Sequence, residues 1–400
     1  MALIQHERST NPDQMILDRY RRAEALEQAG FTEDMVFNAH ITPHWIGDAD
    51  HFWYTRTSDK GTEYRRVEAK SASNTEAFDQ QKLAAVLTEV VGESVSAFAL
   101  PISNLEFSDT TLNFDAFDKR WQFDGDIKVI ESTVTHPAHW LVSPDGTQAA
   151  FVKEHNLWLR DIKSGEERAL TQDGELHYAY AVEPEGRDLV SEFMGPVPLV
   201  APEALWSADS SQLFTVQMDE RKVRDIPSML YVPQNGTVAP RVTNCKYALP
   251  GDNDVVQYRM LVIDVASGNE VAADYPLIED SFVCLGPFSG NRAWWSGNGH
   301  HAYFVDITRG QRTARVISFD TQTGATKQLF EESSDTYVEL GLDFEHPSML
   351  MSLPDTNELL WFSERSGWGH LYLYDLATGE LKNPMTSGDY LVRSLLHVDS

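Results

Sequence analysis

Histidine pairs, acidic clusters and a few glycine-serine strings are the parts of this sequence whose residue types could do chemistry. His40 and His44 stand four apart, the spacing that would put two imidazoles on one helix face for a metal, but Pro43 between them breaks such a helix. His136 and His139 in HPAH, and the adjacent His300 and His301, match no standard zinc spacing and read as surface or strand-end histidines. Glu331 and Glu332 in LFEESSD read as a solvated loop after a strand. Asp219, Glu220, Arg221 and Lys222 read as a local ion-pair network at a strand end. A nucleophilic serine of the hydrolase kind needs G-x-S-x-G, which is absent; GPFSG (Gly286 to Gly290) and SGNG (Ser296 to Gly299) have the composition of turns. Neither phosphate-binding glycine pattern occurs, and H-E-x-x-H is missing. The residues by themselves therefore supply no catalytic group, no metal site and no cofactor site.

Charge narrows the partners. Sixty-one acidic residues against 32 basic ones give a net charge of −29. Such a surface repels phosphate backbones and anionic lipid, which argues against nucleic acid and membrane as partners. What it attracts is cationic, for instance the free amino terminus of a peptide. Hydrophobic residues at 42% and charged residues at 23% argue for a large folded core. Cys245 and Cys284 fit neither a C-x-x-C motif nor a disulfide framework, and read as buried thiols in a reducing compartment. The opening MALIQHERSTNPDQ has no apolar run after a basic stretch, and no window approaches the roughly eighteen apolar residues of a membrane span, so the cytoplasm is the expected location.

Two helices and many strands would have to position whatever chemistry exists. The first thirty residues read as one helix, with Asn11 as cap, Pro12 at the first helical position, Gly30 as terminator and an apolar stripe of Ile16, Tyr20 and Ala23. A second helix is expected over TEAFDQQKLAAVLTEVV, capped near Asn74 or Thr75 and closed by Gly92, with Phe78, Leu83, Val86, Leu87 and Val90 on its apolar face. Elsewhere short aromatic and β-branched runs predominate: HFWYTRT, EYRRVEA, QAAFV, NLWLRDI, QLFTVQM, RMLVIDV, AYFVDI, ARVISFD, ELLWFSE and HLYLYDL.

A repeat decides among all-β architectures. Asp-x-x-Ser/Thr-Gly closes a strand at Asp161–Gly165, Asp264–Gly268, Asp320–Gly324 and Asp375–Gly379. Asp and Ser/Thr side chains can bond nearby backbone, and glycine takes positive φ without a Cβ clash, so each pentad is a hairpin turn. A second turn signal precedes each one: SPDG at Ser143, SADS at Ser207, SGNG at Ser296 and LPDT at Leu353. Gly268, Gly324 and Gly379 recur at 56 and 55 residues, whereas Gly165 to Gly268 spans almost twice that, leaving room for an extra blade or an insertion. Four-stranded units at this period indicate an all-β fold, a seven- or eight-bladed β-propeller with N-terminal helices, incomplete at its C-terminal end because the chain stops at LLHVDS inside a late blade. The expected domains are residues 1–35, a helical segment, and 36–400, the propeller.

Three strings carry a resemblance. SPDGTQAAFVKEHNLWLRDIKSGEERALTQDG (Ser143 to Gly174), ALWSADSSQLFTVQMDERKVRDIPSMLYVP with YALPGD (Ala204 to Asp252), and WFSERSGWGHLYLYDLATGEL (Trp361 to Leu381) are similar to blades of the dipeptidyl-peptidase-IV-like branch of the prolyl oligopeptidase family. The resemblance implies a two-domain serine peptidase, in which the propeller caps an α/β-hydrolase domain, restricts entry to short peptides and grips their amino termini. The implied partners are short peptides, a C-terminal α/β-hydrolase domain expected beyond residue 400, and a second copy in a homodimer. One departure bears on specificity. Family dipeptidyl peptidases carry adjacent glutamates shortly before a Trp-Ser-Pro-type turn, and these pair with the substrate ammonium. Here that turn is Trp206-Ser207-Ala208-Asp209, and ungapped counting back from it reaches Gly195 and Pro196. Glu192 and Glu203 are the nearest acids and become the candidate substrate-binding residues, against the reading of ordinary surface loop charge. A stand-alone propeller acting as a binding or scaffold module, or an inactive peptidase homologue, are the alternatives.

Overall fold

The computed structural model of the chain describes residues 12–31, 37–38, 41–47, 50–108, 111–131, 136–184, 200–230, 239–279, 286–340, 349–395 and 398. The chain divides into two compact units, residues 1–135 and 136–400.

The first unit begins with α1 (Pro12–Phe31), which runs through Gly30 rather than stopping there. Ile16 and Tyr20 of its expected apolar stripe are exposed. An antiparallel sheet follows in the order β1 (His44–Trp45), β2 (His51–Ser58), β3 (Gly61–Glu68), β4 (Ser73–Glu76). Helix α2 (Gln80–Val91) starts later than expected because Asn74 and Thr75 are spent in β4. Its cap is Asp79, whose carboxylate accepts from the Lys82 backbone N–H at 2.9 Å, and it ends at Gly92 with φ of 80°. A second sheet comprises β5 (Ser103–Phe107), β6 (Leu112–Ala116), β7 (Lys119–Phe123) and β8 (Ile127–Glu131). Leu83 and Leu87 are fully buried from α2 against Phe114 and Trp121, while Val90 is left exposed.

Among its described residues the second unit holds four larger sheets and one two-stranded sheet. One is β9 (Leu141–Val142), β10 (Gln148–Lys153), β11 (Asn156–Asp161) and β12 (Glu167–Ala169). The next is built on β15 (Gln212–Asp219), whose one edge is covered in two pieces, β13 (Tyr178–Tyr180) and β14 (Ala204–Trp206). After β15 the chain makes a separate two-stranded hairpin, β16 (Asp225–Leu230) and β17 (Arg241–Lys246). It then returns as β18 (Gln257–Asp264), which carries β19 (Glu270–Ala272) and β20 (Ile278–Glu279) on its far edge. The last two sheets are β21 (Ala293–Trp295), β22 (His301–Ile307), β23 (Thr313–Asp320), β24 (Thr326–Ser333), and β25 (Met351–Leu353), β26 (Glu358–Ser363), β27 (His370–Asp375), β28 (Leu381–Pro384).

All ten expected strands form. The fold is an all-β propeller arrangement with few helices, and six blade sheets stand among the described residues instead of seven or eight. The long Gly165-to-Gly268 interval is filled by the split edge of β15 and the β16–β17 hairpin, an insertion within one blade. The sheet of β25 to β28 has all four of its strands by Pro384.

Each pentad joins the third strand of a blade to the fourth with one geometry. Glycine N–H donates to the aspartate carbonyl at 2.9, 2.8, 2.9 and 2.8 Å for Gly165, Gly268, Gly324 and Gly379. The aspartate Oδ1 accepts from the Ser or Thr N–H at 2.6, 2.8, 2.8 and 3.0 Å, and φ of the four glycines lies between 75° and 83°. These bonds favour the ionised carboxylate and hold Asp161, Asp264, Asp320 and Asp375 below the ordinary aspartate pKa.

Strand alternation shows why the blades stack. On β15, Leu213 enters a core shared with Leu157 and Leu159 of the preceding blade, while Phe214, Val216 and Met218 enter one shared with Phe304 and Phe319 of the following blade. On β22, Tyr303 and Val305 point the other way, toward Leu359 and Trp361. Each interior sheet of this unit is thus apolar on both faces and must lie between two neighbours. Indoles tie the first strands together: Trp206 Nε1 donates to Leu141 O at 2.9 Å and Trp295 Nε1 to Leu205 O at 3.1 Å.

Candidate functional site

Of the two predicted ligand-binding acids, Glu192 lies outside the described residues, and Glu203 lies immediately before β14. Its backbone is pinned from both sides: its N–H donates to Ala181 O at 2.9 Å, and Thr215 Oγ1 of β15 donates to its carbonyl at 2.8 Å. Because β13 and β14 share one edge of β15, the chain leaves that edge at Ala181 and rejoins it at Glu203. This detour brings a second carboxylate, Glu183, to the same place.

The two acids meet over Gly286. A methyl on Gly286 would lie 3.0 Å from Oε2 of Glu203 and 4.0 Å from Cγ of Glu183. The Oε2 atoms of both are shut off from solvent. Ser289 Oγ donates to Glu183 Oε1 at 3.4 Å. Arg292 adds a positive charge on the same segment and is buried; its Nε donates to Ser289 O at 2.9 Å and its Nη2 to Gly286 O at 2.6 Å. The 286–290 string is the turn its composition implies, with Ser289 N–H donating to Gly286 O at 3.1 Å. Two carboxylates beside one buried guanidinium leave a net negative charge in a partly desolvated place, which suits a compact cation with several N–H donors.

Sequence reasoning missed Glu183, Ser289 and Arg292. Counting back without a gap from Trp206 cannot find Glu183, because the detour between β13 and β14 is longer than the count assumes. The available signal was the acidic VEPEG that follows the YAY strand directly.

Other sequence candidates have structural roles. Arg221 pairs with Asp219 at 2.7 Å and Glu175 at 3.0 Å and lies 3.8 Å over the Tyr178 ring, the local network expected there. Glu331 and Glu332 do not form a solvated loop; they end β24. Glu332 is nearly buried and accepts from Trp361 Nε1 at 2.7 Å, from Ser363 Oγ, and from Arg365 Nη2 at 2.6 Å, tying the two last blades together. His44 stacks on Trp53 at 4.1 Å, and His136 on Trp140 at 5.9 Å. Cys245 is a buried thiol, whereas Cys284 and His40 lie outside the described residues. A cleft of about 690 Å³ between the last two blades, lined by His301, Lys327 and Asn357, is separate from the Glu183–Glu203 cluster.

The sequence profile of the family described as "Dipeptidyl peptidase IV (DPP IV) N-terminal region" matches residues 109–400. A "Probable dipeptidyl peptidase 4" of Emericella nidulans is 26% identical over 276 residues, 66% of this chain and 33% of that protein. The "Dipeptidyl peptidase 4" of Trichophyton rubrum is 23% identical over 276 residues, 66% of this chain and 32% of that protein. The chain spans about a third of the length of these relatives. The crystal structure of Porphyromonas gingivalis dipeptidyl peptidase 4 has the same fold, with a TM-score of 0.55 at 19% identity over 90% of this chain and 49% of that one.

Proposed function

This chain belongs to the dipeptidyl peptidase IV N-terminal region family, and from that premise we propose that it is the access-controlling, substrate-positioning propeller of a serine aminopeptidase that releases short peptides from peptide amino termini. The observation that carries the reading is the convergence of Glu183 and Glu203 on one point beside Gly286. A peptide ammonium offers three N–H donors, and two carboxylates accept them in charge-assisted bonds that fix both its position and its direction. Fixing the amino terminus fixes which carbonyl reaches a nucleophile, so the propeller contributes orientation rather than chemistry. The nucleophile, base and orienting acid belong to a hydrolase domain expected beyond residue 400, working by acyl transfer through serine. The acidic pair that the sequence lacks in tandem is made in space, which supports recognition of a free amino terminus without setting how many residues are released.

The test is steady-state kinetics of the full-length protein on dipeptidyl p-nitroanilides and their N-acetylated counterparts. Glu203→Gln and Glu183→Gln should each raise KM about 10- to 100-fold for free-amine substrates, the loss of one charge-assisted contact, with kcat changed far less. Acetylated substrates should be poor for the parent and indifferent to either change. Equal KM effects on free and blocked substrates would defeat the assignment.

A further inference from the structure

The two sheets of the first unit leave a cleft of about 390 Å³ beside α2, whose lining includes Arg66, Phe78, Lys82, Phe107, Phe123 and Gly125. Arg66 stands on β3 two residues from the buried Tyr64, hence on the core-facing side of the strand. Its Nε is shut off from solvent and makes no hydrogen bond, and its ion pair is a long 3.8 Å contact from Nη2 to Glu68. Arg160 and Arg259 also hold an Nε shut off from solvent without a hydrogen bond, and what distinguishes Arg66 is its place in the lining of the cleft. Lys82 stands on the first turn of α2 and makes no ion pair among the described residues. Its ammonium reaches over Gly125, where a methyl would sit 3.0 Å from Nζ. The acids at the cleft are already engaged by backbone: Asp79 caps α2 through the Lys82 N–H at 2.9 Å, and Asp124 accepts from the Asp126 N–H at 3.3 Å. The same lining carries three aromatic rings, with Phe107 and Phe123 centred 6.1 and 6.5 Å from Phe78.

We propose that this cleft binds a carboxylate carried on an aromatic or large apolar group, the ring resting among Phe78, Phe107 and Phe123 and the carboxylate bridging Arg66 and Lys82. The apolar part supplies burial, and the two cations supply charge-assisted bonds in a site partly closed to water. Asp79 and Asp124 keep their charges at the cleft, so selectivity for an anion rests on the Arg66 Nε, which makes no hydrogen bond, and on Lys82, which makes no ion pair among the described residues. Such a group is presented by a free aryl-alkyl acid or by the carboxyl-terminal residue of a peptide.

Isothermal titration of the 400-residue chain separates these sources and tests the site without reference to any hydrolase activity. The probes are 3-phenylpropionate and acetyl-Ala-Phe, each compared with its amide. Both acids, or one of them, should bind, with the amide about tenfold weaker or worse. The tighter acid identifies the source. Lys82→Gln, at an exposed helix position that leaves the core alone, and Arg66→Gln should each weaken the acid about tenfold, with far-ultraviolet circular dichroism confirming that both variants remain folded. No binding of either acid up to about 10 mM, equal binding of acid and amide, or undiminished binding to the folded Lys82→Gln variant overturns the proposal.

Discussion

Removing the Glu332 carboxylate should destabilise the last two blades far more than removing that of its neighbour Glu331. The difference follows from what each touches. Trp361 is fully buried, and its indole N–H has Glu332 as acceptor at 2.7 Å. In Glu332→Ala that donor is orphaned, which costs about 1–3 kcal/mol. The buried Ser363 hydroxyl loses an acceptor as well, worth about 1 kcal/mol. The Arg365 pair adds less: its side chain is 32% exposed, and it keeps the Tyr374 hydroxyl at 2.8 Å and the Tyr372 ring at 4.4 Å. Solvent screening holds that contribution to about 1 kcal/mol or below. The expected total for Glu332→Ala is about 3 kcal/mol. Glu331 is 38% exposed and pairs with Arg315 at 2.7 Å, so Glu331→Ala should cost about 0.5 kcal/mol.

Urea unfolding followed by tryptophan fluorescence reads both values, the midpoint shift measuring stability where the slope is unchanged. A double-mutant cycle of Glu332→Ala with Trp361→Phe isolates the indole bond and should return a coupling of about 1 kcal/mol or more. Glu332→Gln keeps the shape but offers one amide oxygen to three donors, and its cost should fall between parent and alanine. Equal midpoint shifts for the two alanine variants, or a coupling indistinguishable from zero, would refute the claim that Glu332 latches one blade to the next.

Three further outcomes are expected. Gly379→Ala should be the more damaging of two left-handed glycine replacements: a methyl at Gly379 would meet Leu329 O at 2.2 Å, whereas at Gly146 it meets nothing within 4 Å. Thermal melts should therefore show Gly146→Ala losing about 1–2 kcal/mol from backbone strain alone, and Gly379→Ala losing clearly more. The four pentad aspartates have folded pKa values below the ordinary 3.8, so the stability they contribute is whole above that value and drains away as pH falls through the lowered one. Acid titration should show Asp320→Asn shrinking the stability loss in that window while leaving the curve near neutral pH parallel to the parent. Deleting residues 228–243 and closing β16 to β17 with a tight turn should leave the rest of the blade folded, since β15 pairs with β18 along its whole length without the hairpin; loss of cooperative unfolding in that variant would show the insertion to be structural.

The blade unit was readable because its turns depend on local chemistry. Asp161, Asp264, Asp320 and Asp375 bond backbone only two or three residues ahead, so the information that forms each hairpin lies within the hairpin itself. The same locality explains the correct reading of GPFSG as a turn. What escaped were features set by partners distant in the chain. Asn74 and Thr75 look like helix caps until β3 claims them as strand neighbours, at which point Asp79 is the first free short carboxylate before Leu83. Glu332 reads as solvated until Trp361 and Ser363, from another blade, arrive beside it. The blade count of seven or eight is not confirmed for the same reason: an interval nearly twice the repeat fits an extra sheet or a hairpin equally well, and the eight-residue pairing of β15 with β18 across it tells them apart. The acidic cluster is the extreme case, since Glu183, Glu203 and Ser289 come from three separated segments, brought together by the split edge of β15 and the entry to the next blade. A site assembled where one strand is interrupted leaves no periodic trace. It would be found by asking which acids flank the interruption, and that question can be put only once the interruption itself is known.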